Sequence, residues 1–152
     1  MIKKIILIVI CLYTISILAE ENKVGPVTGY KIPRFVSLKS DNVNLRIGSS
    51  IDYPIILNYI TLNMPIEIIG EYGFWRKTKD IDNNIGWIHK NLIKGDRHVI
   101  FNKKALAYDM PEGSIIGEIG ENNLGKISKC LLKWCLIKVE NQKFWVLKST
   151  IW

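Results

Sequence analysis

From Phe35 onward, short apolar segments alternate with polar turns. "IILNYI" (55–60), "IEIIGEY" (66–72), "FWRKT" (74–78) and "GWIH" (86–89) each have the length of one strand. They are rich in Ile, Tyr, Phe and Trp, residues that suit a pleated, half-buried surface. Turn chemistry separates them at Asn63-Met-Pro65 and between Asp80 and Asn84. Beyond the N-terminal leader, no window holds a helical apolar period across three turns. Evenly spaced short strands predict an all-β chain of small barrels or sandwiches.

The same order of elements recurs. "NLRIGSSIDYPII" faces "LAYDMPEGSIIGEI", "EYGFWRKT" faces "CLLKWCLIKV", and "GWIHKNLI" faces "FWVLKSTI". Trp75 aligns with Trp134 and Trp87 with Trp145, at offsets that differ by a single residue. Two anchors at nearly one offset predict an internal repeat. The expected division is 1–19 as a signal peptide, 20–34 as a flexible leader, 35–95 as the first barrel and 96–152 as the second.

The leader assignment comes from the first residues. Met1-Ile-Lys-Lys4 is basic, Ile5 to Leu18 is mostly apolar, and Ala19 precedes Glu20-Glu21. That order is the pattern of a secretory signal, with cleavage expected after Ala19. The run is short of the roughly 20 apolar residues of a spanning helix. An uncleaved anchor is the alternative, because Ile17 is bulky for a cleavage site. Cys11 is a poor lipidation site, since bulky Ile10 precedes it. The expected location is therefore periplasmic or secreted, with membrane contact only through the signal segment.

Charge changes the picture little. The formal net charge is +7, or +5 once Lys3 and Lys4 are set aside. It is spread out, without the concentrated stripe that marks a nucleic-acid binder. An exported basic protein is still attracted to acidic envelope polymers.

The ordered residues Val43-Asn-Leu-Arg46, Gly48, Asp52-Tyr-Pro54, Ile66-Glu-Ile68, Trp75 and Gly86-Trp-Ile88 resemble the bacterial SH3 domain, often called SH3b. The longer run "PRFVSLKSDNVNLRIGSSIDYPI" is similar to exported alphaproteobacterial proteins that carry two such units. The second copy departs from the pattern. It lacks Asn-x-Arg and has Phe144 in place of a glycine. The resemblance implies two tandem small SH3-like barrels over about residues 35–152. In each, Gly48-type turns are tight and a short 3₁₀ turn ("HKNLI", "LKSTI") closes the barrel. Ile66, Ile68, Trp75, Trp87 and Ile88 are expected to fill the first core, with Arg46 lying across the barrel end.

The family often shows a Cys…Trp-Cys pair, and Cys130 and Cys135 flank "LLKW" at the place of a hairpin. The resemblance, together with an oxidising compartment, implies a Cys130–Cys135 disulfide. Two free thiols, or half of a metal site, are the alternatives. His89 and His98 show no metal-ligand spacing relative to the cysteines, so neither metal nor cofactor is expected.

No catalytic constellation stands out. SH3b units often accompany NlpC/P60 wall peptidases, whose Cys-His chemistry sits in a separate domain. The carboxylates here are scattered and mostly in turns, and no glycine-rich phosphate loop precedes a helix. The chain is expected to be a non-enzyme. Tyr53, Tyr72 and Phe74 fall near loop tips, beside Trp75, and are the expected ligand-binding aromatics. Arg46 and Arg76 are the expected partners for a ligand carboxylate. The competing assignment puts Trp75 and Tyr59 in the core and packs Tyr53 over its turn. The expected partner is cell-wall peptide or peptidoglycan. An envelope protein (a scaffold role) and a host-directed secreted role are the alternatives, with no nucleic acid in either.

Overall fold

The computed structural model describes residues 23–152, so the expected signal peptide and its cleavage site lie outside the described residues. The chain is all-β. In chain order the strands are β1 (Arg34–Leu38), β2 (Val43–Arg46), β3 (Ile55–Tyr59), β4 (Pro65–Tyr72), β5 (Trp75–Lys79), β6 (Ile85–His89), β7 (Ile93–Lys94), β8 (His98–Ile100), β9 (Ala105–Tyr108), β10 (Ile115–Ile119), β11 (Leu124–Leu131), β12 (Trp134–Val139) and β13 (Gln142–Leu147). Among the described residues the only helical turns are 3₁₀, at Lys90–Leu92 and Lys148–Thr150.

Two sheets result. The first runs β3-β2-β6-β5-β4-β1-β7 and the second β10-β9-β13-β12-β11-β8. Adding seven to each strand number of the first sheet gives the second. The place of β7 is taken by a single bridge from Ile151 to Phe101. Register agrees with order. Trp87 sits opposite Arg46 and Lys77, while Trp145 sits opposite Tyr108 and Leu136. Trp75 pairs with Tyr72 where Trp134 pairs with Leu131.

Each sheet encloses its own core. The first holds Val36, Leu38, Val43, Leu45, Tyr59, Ile66, Ile68 and Ile88, with Ile32 from the leader. The second holds Val99, Phe101, Ala105, Ala107, Cys135, Ile137, Phe144 and Val146. Phe144 stands where the first sheet has Gly86, and Ala107 where it has Leu45. A Cβ on Gly86 would come within 2.6 Å of Leu45 Cγ, so the first copy needs glycine there. The second copy reverses the sizes and keeps the volume, which is the kind of exchange cores tolerate.

Two expectations are corrected. Trp75 and Trp87 are absent from the first core and stand only partly buried on the outer face. Successive strand residues point to opposite faces, so Trp87 and Ile88 could not both be interior. In β5 the inward residues are Arg76 and Thr78, leaving Trp75 outside.

The segment expected to be a flexible leader is also tied down from Lys23 on. Val24 bridges Lys31, and Gly25 N–H donates to the Tyr30 carbonyl. The turn closes on buried Glu71, which accepts from Val27 N (3.1 Å), Thr28 N (2.9 Å), Thr28 Oγ1 (2.7 Å) and Arg34 Nη2 (2.8 Å). Arg76 Nε lies 3.7 Å from the same carboxylate. Burial alone would raise the Glu71 pKa, but the donors from Thr28, Arg34 and Val27 outweigh it and hold it at about 2.

Candidate functional site

The β4–β5 hairpin turns at Gly73, whose φ of +51° favours a residue without Cβ. This turn lifts Tyr72 and Phe74 into solvent, 67% and 63% exposed. Trp75 follows on the outer face and meets the His89 ring edge-on at 5.4 Å between centroids. Phe74 lies 6.2 Å from His89, and Lys90 Nζ stands 4.7 Å above the Phe74 ring. Lys90 is held there by its backbone N–H, which donates to the Phe74 carbonyl at 2.8 Å. The tip therefore gathers three aromatic side chains, an imidazole and one ammonium.

A second row extends the face across the sheet. Arg46, Trp87 and Lys77 are register neighbours on β2, β6 and β5. Arg46 Nη1 donates to the Tyr53 carbonyl at 2.7 Å, closing the β2–β3 turn instead of reaching across a barrel end. Tyr53 packs its ring over Gly48, where a Cβ would come within 2.5 Å of it, yet remains 49% exposed. The face is thus aromatic in two rows and basic at Arg46, Lys77 and Lys90.

Of the expected ligand residues, the structure brings Tyr72, Phe74 and Trp75 together at one tip. Tyr53 and Arg46 form a separate pair at the neighbouring hairpin. Arg76 is not on this surface. It is 5% exposed, and its Nη1 donates to the carbonyls of Gly73 and Trp75 at 3.0 and 2.9 Å. It braces the tip from inside and answers Glu71, so a ligand carboxylate has no access to it. Sequence reasoning missed Trp87, His89, Lys77 and Lys90. The signal was the alternation in "IGWIH", where buried Gly86 and Ile88 leave Trp87 and His89 outside.

Tyr59 belongs to the core. Its hydroxyl donates to Asp80 Oδ2 at 3.0 Å, and burial, then the Asp80 charge, push its pKa up. Asp80 also accepts from Asn84 N and Asn84 Nδ2 at 2.8 Å each, so it organises the β5–β6 turn.

The corresponding face of the second sheet is covered. Trp134 is 7% exposed and stacks edge-on to Tyr108 at 4.9 Å. Trp145 is 9% exposed beneath Lys129 Nζ at 5.5 Å. Cys130 and Cys135 form a disulfide with a Cα separation of 4.1 Å. It sits at the register position that Glu71 and Arg76 hold in the first sheet, so a covalent link replaces an ion pair.

At the junction of the sheets, Ser37 Oγ donates to the Asp96 carbonyl at 2.5 Å and accepts from His98 N at 3.0 Å. Burial, then Lys94, lowers the His98 pKa. Phe35 meets Trp152 edge-on at 4.9 Å. Among the described residues, no three His, Cys, Asp or Glu side chains gather as a metal site.

No curated protein matches the chain. Two solved structures are similar to it at low identity. NlpC1 from Trichomonas vaginalis is 15% identical over 84% of this chain and 48% of that one, with a TM-score of 0.36. NlpC2 from the same organism is 16% identical over 81% and 49%, with a TM-score of 0.37. The chain spans about half the length of either. Residues 39–95, which hold both rows of the exposed aromatic face, match the family model described as the bacterial SH3 domain.

Proposed function

We propose that this chain is a non-catalytic, exported binding protein of two SH3-type units, the first of which holds cell-wall peptide in the periplasm. The second sheet repeats the strand order of the first, which supports counting it as a second unit. The observation that carries the ligand assignment is the cluster of exposed Tyr72 and Phe74 with partly buried Trp75 beside them and Lys90 above the Phe74 ring.

Chemistry favours this ligand class. Wall stem peptides present short, small side chains and carboxylates on an extended backbone. Aromatic faces offer apolar contact at low entropic cost, and the ammonium of Lys90 or Lys77 attracts a carboxylate. The second unit has turned its equivalent tryptophans under Tyr108 and Lys129, so its part is structural: it docks through Phe35–Trp152 and Ser37–His98 and steadies the first unit.

The test is co-sedimentation of the exported protein with purified peptidoglycan. Phe74→Ala and Tyr72→Ala are expected to lower retention about fivefold each, since stacking contacts are worth on the order of 1 kcal/mol. Equal retention of variants and wild type removes the site. Absence of retention in the wild type removes the ligand.

A further inference from the structure

The disulfide of the second unit borders a cavity of about 170 Å³ at the seam with the first unit. Phe35, Val99, Ile127 and Trp152 line it together with the two cysteines. Arg97, His98 and Lys148 complete the wall. His98 is already engaged, its Nδ1 lying 3.0 Å from Ser37 Oγ. Arg97 and Lys148 are exposed, and neither has an acidic partner among the described residues.

The internal repeat shows what chemistry suits this place. Arg34 lies opposite Ile68 in the first sheet. The Arg97 carbonyl accepts from Ile127 N–H at 3.0 Å, and Ile127 holds in the β11–β12 hairpin the register of Ile68 in β4–β5. Arg97 is therefore the second unit's counterpart of Arg34. In the first unit that arginine grips the Glu71 carboxylate at 2.8 Å, and the Lys23–Ile32 turn closes over it through Val27 and Thr28. The second unit has neither. Cys130 stands in the register of Glu71, and only Gly95 and Asp96 separate β7 from Arg97, too few for a covering turn. The Asp96 carboxylate faces Lys126 instead, at 3.3 Å. The second copy thus keeps the arginine and lacks both the carboxylate and the cover that go with it.

We propose that this cavity binds a small carboxylic acid with a flat apolar body, of the size of benzoate, whose carboxylate meets Arg97 as Glu71 meets Arg34. The lining dictates both halves of the ligand. A benzene ring fits an apolar cavity of about 150 Å³. Phe35 and Trp152, edge-on to each other at 4.9 Å, supply aromatic surface for it. A guanidinium takes a carboxylate through two parallel hydrogen bonds, and Lys148 adds a second positive charge. The site is distinct from the aromatic tip at Gly73, and its ligand need not come from the wall.

Titration of the purified protein with benzoate at constant ionic strength, followed by amide and indole NMR signals, tests this. Shifts are expected at the Trp152 indole and at the amides of Arg97, His98 and Val99, with Tyr72 to Trp75 unmoved. Arg97→Gln changes an exposed side chain that has no ion pair to lose, and it is expected to weaken binding about tenfold, the usual worth of a charge-assisted hydrogen bond. Benzyl alcohol supplies a second readout on the wild type alone. It has the same ring without the charge and is expected to bind about tenfold more weakly than benzoate. The absence of shifts at about 20 mM benzoate, a generous ceiling for a ligand of this size, overturns the proposal. So do shifts centred on the aromatic tip, unchanged affinity in Arg97→Gln, or equal binding of benzyl alcohol and benzoate.

Discussion

Replacing Glu71 by Gln removes the carboxylate on which the first sheet and the Lys23–Ile32 turn converge. The carboxylate is fully buried, accepts four hydrogen bonds at 2.7 to 3.1 Å and faces Arg34 and Arg76. Its pKa falls from 4.5 to about 2 on folding, against a burial effect of opposite sign. A depressed folded pKa stabilises the protein above the unfolded value and loses that contribution as pH falls through the folded one. The shift corresponds to about 3 kcal/mol, fully present above about pH 5.5 and lost as pH drops to about 2. Glutamine keeps the shape but cannot accept from all these donors, and it strands the buried guanidinium of Arg76 and the partly buried one of Arg34. A cost of about 3 kcal/mol at pH 7 follows. Urea unfolding followed by tryptophan fluorescence, run on wild type and Glu71→Gln from pH 7 to pH 2, measures it. The stability difference is expected to shrink by about 3 kcal/mol over that range. A difference that stays constant with pH would refute the claim that the ionised form of Glu71 holds the turn.

Three further outcomes follow from the same structure. Gly86→Ala should destabilise by about 1 to 3 kcal/mol through its clash with Leu45, while adding Leu45→Ala should recover part of that loss, and strictly additive costs in thermal melts would contradict the size exchange with Phe144 and Ala107. Replacing both Cys130 and Cys135 by Ala should cost about 2 kcal/mol, the entropy of a short closed loop, and urea midpoints equal to wild type would deny the link its role. Truncating Trp75 to Ala should weaken wall retention and leave urea stability within about 1 kcal/mol, since its side chain lies outside the core; a loss typical of core tryptophan, about 3 to 5 kcal/mol, would return it to the interior.

Much of this fold was legible in the sequence because its signals are local. Strand-length apolar runs and the pairing of Trp75 with Trp134 and Trp87 with Trp145 follow from spacing alone, and the family resemblance implied the two 3₁₀ closures. The faces were harder. Tryptophan is usually counted as interior, and that habit put Trp75 and Trp87 in the core against the period of their strands. Arg76 shows why the period was hard to see. An inward arginine breaks the apolar alternation of β5, and it is tolerated only because Glu71, five residues earlier, faces it across the hairpin. The same register later holds Cys130 and Cys135, whose pairing the family resemblance implied. Aligning those two pairs would have exposed both the ion pair and the outward tryptophans. The leader was misread for a different reason. Its glycines and prolines do form turns, but what fixes them is a carboxylate more than forty residues away.

Titration of the amide and indole N–H signals with a wall stem peptide is the most direct measurement of the central claim, that the exposed aromatic face of the first unit holds the ligand. The account predicts shifts at the Trp75 and Trp87 indoles and at the amides of Tyr72, Gly73 and Phe74, with Trp134 and Trp145 unmoved. Shifts confined to the second unit, or none at millimolar peptide, would contradict it.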